Sequence, residues 1–213
     1  MSLLSRIRTR SRELTPQQAD VETAVSDLAS GEGLVVKALA GTGKTFTLTR
    51  AVERIPRGAS VLVMAYSKDI QRELSDKMPS SARVETTHGL GKAILDAQPG
   101  RTFQMAKVSE YLEAHVRDRK QRWPMSQMVS LARNLGVGYL LPDTDDTWRA
   151  IYDEYDVRLA KNIRLDKFLS RCRAALGELS RSDVYDFDDM LYLVARDGLG
   201  GLPHYDFVVV DEV

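Results

Sequence analysis

Short apolar runs alternate with amphipathic stretches at both ends of this chain. Residues 34–39 and 60–65 are mostly apolar and predict strands that are buried on both faces, as in a parallel sheet. Residues 83–86 and 207–210 predict two more strands. Between the strands, apolar residues recur at helical spacing, which predicts helices over residues 45–55, 69–78, 89–97 and 188–196. This alternation indicates an α/β fold with a parallel sheet and right-handed crossovers.

A further helix is predicted before the first strand. Thr15 is suited to cap it, and Pro16 is suited to its first position. Because both signals act at the start of a helix, they define where it begins. Apolar residues then follow at helical spacing, namely Val21, Ala24, Val25 and Leu28.

The pattern changes between residues 99 and 181, where strand-like runs disappear. Apolar residues recur there at spacings of three and four, interrupted by Gly136 and Gly138, which predicts amphipathic helices. Cys172 lies on an apolar helix face and is interpreted as a small buried side chain. The predicted domains are therefore the first part of a sheet domain (residues 1–98), a helical insertion (residues 99–181) and the continuation of the sheet domain (residues 182–213).

Composition narrows the class of protein only slightly. Hydrophobic residues make up 43% of the chain and charged residues 28%, and no apolar run approaches the roughly 20 residues that span a bilayer, so no membrane partner is expected. Lys plus Arg and Asp plus Glu both total 30, so net charge gives no hint of a nucleic-acid partner. A local basic groove can still bind phosphates. With one cysteine and no secretory signal, we expect a reducing, cytoplasmic location.

The strongest chemical signal is Ala-Leu-Ala-Gly-Thr-Gly-Lys-Thr at residues 38–45, between a predicted strand and a predicted helix. Glycines let backbone N–H groups approach a phosphate chain, and the helix N-terminus favours an anion. Ala38 stands where the strict phosphate-loop pattern has glycine, and the alternative is a glycine-rich turn without a ligand. Lys44 is suited to reach the β- and γ-phosphates and the Thr45 hydroxyl to bind Mg²⁺. The predicted ATP contacts are Ala40, Gly41, Thr42, Gly43, Lys44 and Thr45.

A second signal comes from the two carboxylates that follow the last predicted strand. Asp211 and Glu212 directly follow a run of valines. An acidic residue at the carboxyl edge of a parallel sheet lies over the nucleotide crevice. Asp211 would therefore hold Mg²⁺ through water, and Glu212 would act as the general base that polarises the attacking water. The acidic pair indicates a nucleotide site in combination with the phosphate loop.

Several segments together resemble a known family. In order and spacing, the chain is similar to the N-terminal ATPase domain of superfamily 1 DNA helicases of the UvrD/Rep (PcrA-like) type. Ala38 is itself usual in that family. The resemblance implies a RecA-like P-loop NTPase sheet with an inserted all-helical subdomain, called 1B in the family, which the helical middle matches in position and helical character. The segments that carry it are residues 14–18, 38–45, 86–90, 186–191 and 211–212.

The resemblance implies roles for residues outside the phosphate loop. Gln18 matches the glutamine whose amide reads the adenine base, and the alternative is a solvent-facing helix residue. Tyr66 matches an aromatic residue that stacks on a base of single-stranded DNA, and Lys68 a lysine that meets a phosphate. Ser67 departs from the asparagine common between them, and plain packing is the alternative for Tyr66.

A short motif after the third predicted strand is implied to contact DNA as well. Thr86 and His88 match a threonine and a histidine that touch the DNA backbone in the family. A histidine is more often structural, but the following Gly89 permits close approach. The implied partners are single-stranded DNA and duplex junctions, and the implied cofactors are ATP and Mg²⁺.

The resemblance also sets an expectation for activity. The intact protein would be an ATP-driven DNA translocase or helicase, and its second RecA-like domain, missing here, would supply arginines for phosphoryl transfer. Val213 stands at the position of the family's alanine after the Asp-Glu pair. We expect this chain alone to bind ATP weakly and to turn it over slowly or not at all. The alternatives are a P-loop ATPase that does not act on nucleic acid and a non-catalytic DNA-binding truncation.

Two charged stretches have ordinary interpretations. Residues 186–189, Asp-Phe-Asp-Asp, are better read as a helix start than as a metal cluster, because acidic groups favour a helix N-terminus. The basic residues near Trp123 are interpreted as a solvated face, with a contact to duplex DNA as the alternative. They are Arg117, Arg119, Lys120 and Arg122.

Overall fold

The computed structural model describes residues 14–39, 41–160, 162–201 and 203–211. These residues form nine helices and five strands, and every paired strand runs parallel to its neighbour, so the chain is α/β as predicted. The helices are α1 (Pro16–Ser26), α2 (Lys44–Arg54), α3 (Lys68–Ser75), α4 (Thr87–Asp96), α5 (Lys107–His115), α6 (Arg119–Asn134), α7 (Asp145–Glu154), α8 (Leu165–Arg181) and α9 (Asp189–Arg196). The strands are β1 (Val61–Ala65), β2 (Ala82–Thr86), β3 (Thr102–Phe103), β4 (Val184–Tyr185) and β5 (Phe207–Val210).

The chain divides into two compact units. The first contains the residues up to Thr86 and those from His204 onward, and the second is Thr87–Pro203. The predicted insertion, residues 99–181, falls within the second unit, which also takes in α4, β4 and α9. No helix among the described residues is long and apolar enough to cross a membrane.

The first unit is built on a three-stranded sheet in the order β2-β1-β5. Its register pairs Ala65 with Thr86 and Met64 with Val210. Helices α2 and α3 bury their apolar sides against this sheet. Three of the four predicted strands are therefore confirmed, together with the helices predicted over residues 45–55 and 69–78. The core residues are Val52, Ile55, Val61, Val63, Ala65, Leu74, Met78 and Val84.

The remaining predicted strand, residues 34–39, is not formed. These residues have no strand assignment, and Val35 and Leu39 are 82% and 80% exposed. A strand is stabilised by hydrogen bonds to a strand beside it, and none of the described strands pairs with this segment. Among the described strands, β5 pairs only with β1 and so forms an edge of the sheet, and its Val208 and Val210 are exposed. The prediction was wrong because an apolar run becomes a buried strand only where the fold supplies a neighbour.

The second unit is mainly helical, as predicted for its middle part. Helices α5 to α9 and α4 bury a common core whose largest fully buried side chains include Trp148, Phe168 and Tyr185. The unit also contains a small parallel sheet, in which Thr102 pairs with Val184 and Phe103 with Tyr185. That sheet was not predicted, because two-residue strands are too short to show an alternating pattern.

Helix α4 packs very closely on the start of α9. A Cβ atom placed on Gly91 would lie 1.8 Å from the carbonyl oxygen of Met190. Only a glycine permits this approach, so α4 and α9 are in close backbone contact within the second unit. This contact is one physical reason why the compact unit extends beyond the predicted insertion on both sides.

A buried cluster of four charged side chains joins α5, α6 and the start of α9. Lys107 Nζ lies 2.5 Å from Asp189 Oδ2, and Arg133 Nη1 lies 2.6 Å from Asp186 Oδ1 and 3.2 Å from Asp189 Oδ1. Burial raises the pKa of Asp186, opposed by Arg133, and lowers the pKa of Lys107, opposed by Asp189. The acidic stretch is therefore a charge-compensated helix start, and Asp186 Oδ1 accepts the N–H of Asp189 at 3.1 Å.

Cys172 should be unreactive while the second unit is folded. It is fully buried in the core of that unit, and burial raises the pKa of its thiol, so little thiolate is present. Because it is the only cysteine, a chromogenic disulfide reagent should report on it alone. We expect reaction only after unfolding, at a rate that rises with urea. Rapid labelling without denaturant would contradict the buried position.

Candidate phosphate site and the neighbouring sheet edge

The phosphate loop adopts the backbone that its glycines permit. Gly41 and Gly43 have φ angles of 79° and 85°, a region that side chains other than glycine rarely adopt. Gly43 is the N-cap of α2, and no side chain caps this helix start. Lys44 begins the helix and is exposed, with Thr45 next to it. The loop thus ends at a helix N-terminus suited to an anion. Ala40 lies outside the described residues.

Gln18 lies against this loop. Its Nε2 donates to the carbonyl oxygen of Thr42 at 3.5 Å, across 24 residues of sequence. Its Oε1 accepts the N–H of Thr15 at 3.0 Å, while Thr15 Oγ1 accepts the N–H of Gln18, which forms a capping box at the start of α1. Gln18 is partly buried and Gln17 is exposed, so Gln18 is the glutamine that the fold brings to the loop. Its role in reading a base stays a prediction.

The carboxyl ends of β1, β2 and β5 meet at one edge of the first unit's sheet. Because the strands are parallel and in register, the residues at or just after their ends, Tyr66, Thr86 and Asp211, share that edge. The backbone N–H of Asp211 donates to the carbonyl oxygen of Met64 at 3.1 Å, which extends the pairing to the acidic residue. Glu212 lies outside the described residues. Parallel sheets bind ligands at this edge.

Tyr66 and Lys68 flank the start of α3. Tyr66 is 76% exposed, so its ring is not a packing residue of the core. Ser67 is the N-cap of α3, and its Oγ accepts the N–H of Ile70 at 3.3 Å. The departure from asparagine at this position therefore keeps a capping side chain. Lys68 is the first residue of the helix, beside the sheet edge described above.

Thr86 and His88 belong to different compact units. Thr86 ends β2 and is buried, whereas His88 lies in α4 of the second unit. The His88 ring stacks on Phe187 with ring centroids 4.0 Å apart and planes 13° from parallel. Burial lowers the pKa of His88, opposed by the charge of Asp188, whose Oδ2 accepts a hydrogen bond from Ser130 Oγ at 2.7 Å. The stacked pair was not predicted from sequence.

The basic stretch around the start of α6 is only partly a solvated face. Arg122 Nε donates to the carbonyl oxygen of Val116 at 2.9 Å, and its Nη2 to that of Glu113 at 3.2 Å, so this side chain caps the end of α5. The interpretation was wrong for Arg122, because a side chain six residues away in sequence reaches the last turn of the preceding helix. The other basic residues of this stretch are exposed, and Trp123 is 72% exposed.

A buried carboxylate on α1 was also missed. Glu22 is buried on α1, and its two oxygens accept hydrogen bonds from Arg50 and Arg54 of α2. The one feature of the sequence that could have indicated this buried carboxylate is the spacing of Arg50 and Arg54, which are four residues apart and so share a helix face.

The comparisons with known proteins leave the family resemblance resting on these residues alone. The chain matches no protein-family model, and a search of curated protein sequences returns no significant match.

Proposed function

We propose that this chain is the ATP-binding motor domain of a UvrD-like DNA helicase, which in the intact protein would couple ATP hydrolysis to movement along single-stranded DNA and to unwinding at duplex junctions. The observation that carries the proposal is the contact of Gln18 with the phosphate loop at Thr42. The Gln18 amide has one donor and one acceptor group, the two kinds of group that recognise the edge of a base, and this contact places it against the loop.

The residues present fit Mg²⁺-ATP. The uncapped start of α2 and the two positive-φ glycines offer backbone N–H groups to phosphates, and Lys44 adds a cation. Thr45 and Asp211 would hold Mg²⁺, because hydroxyl and carboxylate oxygens are ligands that it prefers. When bound, the ion neutralises charge on the β- and γ-phosphates. Glu212 would orient the attacking water and accept its proton.

A nucleic-acid partner is supported by exposed side chains at the same sheet edge. Tyr66 is exposed where an aromatic ring can stack on a base, and Lys68 follows it at the start of α3. In the second unit, the family resemblance separately proposes His88 as a contact to a backbone phosphate.

Lys44→Ala should weaken binding of Mg²⁺-ATP to this chain at least about tenfold, because a charge-assisted contact to the phosphates is lost. Binding is measured with a fluorescent ATP analogue and by competition with ATP. The matched control is Lys77→Ala, which removes an exposed lysine of the same unit that pairs with Glu73 and should leave binding unchanged. If neither the native chain nor the variants bind Mg²⁺-ATP, the proposal fails.

The DNA part of the proposal has its own experiment. A labelled single-stranded oligonucleotide should bind the native chain more tightly at low salt, as phosphate contacts require, and Tyr66→Ala should weaken it. ATP binding without any DNA binding would favour an ATPase that does not act on nucleic acid. DNA binding that is unchanged by Lys44→Ala, with no ATP binding at all, would favour a non-catalytic binding module.

A further inference from the structure

Helix α1 contacts the rest of the first unit through a buried charge as well as through Val25, which packs on the apolar core. Glu22 is the only residue of α1 that is buried, and the apolar Val21, Ala24 and Val25 are only partly covered. A helix usually packs through an apolar stripe, so burial of a carboxylate in that place needs a compensating interaction.

Two arginines of α2 supply the compensation. Arg50 Nε lies 3.0 Å from Glu22 Oε1, while Arg54 Nε and Nη2 lie 2.6 Å and 2.5 Å from Glu22 Oε2. The side chain of Glu22 is 5% exposed, against 37% for Arg50 and 51% for Arg54. Because both carboxylate oxygens are engaged from one helix face, this clamp sets the position of α1 along α2 as well as their distance.

The clamp and the phosphate loop are linked through α1 itself. Gln18 and Glu22 are four residues apart and therefore lie on the same side of the helix. Gln18 reaches the loop at Thr42, at the amino-terminal end of α2, while Glu22 is held by residues further along α2. Nε2 of Gln18 would lie 3.4 Å from a Cβ atom on Gly43, so the amide is placed against the cap of α2.

We propose that Glu22 is a positioning residue that holds the Gln18 amide at the phosphate loop by way of Arg50 and Arg54. This inference rests on the proposed function of the loop as an ATP site. Glu22 touches no nucleotide. Loss of Glu22 should therefore reduce the share of the ATP affinity that comes from the base, while the phosphate contacts stay in place.

The test compares two ligands that differ in the base. Mg²⁺-ATP has phosphates, sugar and base, whereas Mg²⁺-tripolyphosphate has the phosphates alone. Glu22→Gln keeps the size of the side chain and removes its charge. We expect this substitution to lower the affinity for Mg²⁺-ATP about tenfold and the affinity for Mg²⁺-tripolyphosphate less than about twofold. The matched control is Glu53→Gln, because Glu53 pairs with the same Arg50 at 2.7 Å but is exposed. This substitution should leave the affinity for both ligands unchanged.

A double variant separates positioning from a general structural role. In a Gln18→Ala background, Glu22→Gln should have no further effect on the ratio of the two affinities, since the amide that it positions is gone. If Glu22→Gln is unfolded at the assay temperature, Arg54→Gln removes one of the two arginines and should shift the ratio in the same direction by a smaller factor.

The outcomes are distinct. A native chain that binds no Mg²⁺-ATP contradicts the proposed function. A native chain that binds it, with an unchanged ratio in both Glu22→Gln and Arg54→Gln, overturns the positioning role. An equal loss for both ligands also overturns it, because the loop as a whole would then depend on the clamp.

Discussion

Replacing Gly91 with alanine should lower the free energy of unfolding of the second unit by about 3 kcal/mol or more. The added methyl group would lie 1.8 Å from the carbonyl oxygen of Met190 and 2.7 Å from its carbonyl carbon. Backbone atoms cannot move aside by changing a rotamer, so α4 and α9 would have to separate. His88 on α4 stacks on Phe187, just before α9, so the same change should disturb that ring pair.

The measurement uses the tryptophans of the chain. Both of them, Trp123 and Trp148, belong to the second unit, so their fluorescence in urea reports that unit alone. The control is Gly177→Ala in the middle of α8, where the nearest side-chain atom to the new Cβ is 3.6 Å away. That variant should be more stable by about 0.5–1 kcal/mol, because alanine favours a helix. Equal effects of the two substitutions would show that the close approach at Gly91 is absent.

Arg133→Met should destabilise the second unit by about 3–5 kcal/mol, because it leaves buried carboxylates with one cation fewer. Arg133 Nη1 is hydrogen-bonded to both Asp186 and Asp189, and only Lys107 would then remain to balance them. Methionine fills a similar volume, so the loss reflects charge more than packing. Tryptophan fluorescence in urea measures the change. The matched control is Arg164→Met, whose partner Asp166 is exposed, and it should have little effect.

The loss in Arg133→Met should be smaller at pH 5 than at pH 8. Burial already raises the pKa of Asp186 in the folded chain, and removing Arg133 raises it further. A carboxyl group whose folded pKa exceeds its unfolded pKa binds more protons when folded, so stability falls as pH rises through that interval. Acidification therefore neutralises the unpaired carboxylate and restores part of the stability. A loss that does not change with pH would show that packing, rather than charge, is responsible.

Signals confined to a few residues predicted most of the elements. The start of α1 at Thr15 and Pro16 is confirmed, because a capping box involves only the first turn. Strands β1, β2 and β5 are confirmed, since each is an alternating or apolar run that finds a partner in the same sheet. The turn at Gly41 and Gly43 could also be predicted from the sequence, because glycine is the residue that tolerates a positive φ.

The errors arise where structure depends on distant partners. Residues 34–39 have the composition of a strand but no neighbouring strand, and composition carries no information about neighbours. Strand β3 exists only because Thr102 and Phe103 meet residues about 80 positions later, a pairing that no local pattern encodes. The same holds for Glu22 and Arg133, which are buried beside opposite charges on other helices.

The open edge of β5 has a consequence for handling the chain at high concentration. Unpaired backbone groups on an edge strand can accept a strand from another molecule, and charged or proline residues are the usual protection. β5 carries neither, and two of its own residues, Val208 and Val210, are exposed. The segment 34–39 adds a second exposed apolar surface to the same unit. We therefore expect strand addition between molecules as the concentration rises, so the properties of a single chain are best measured in dilute samples.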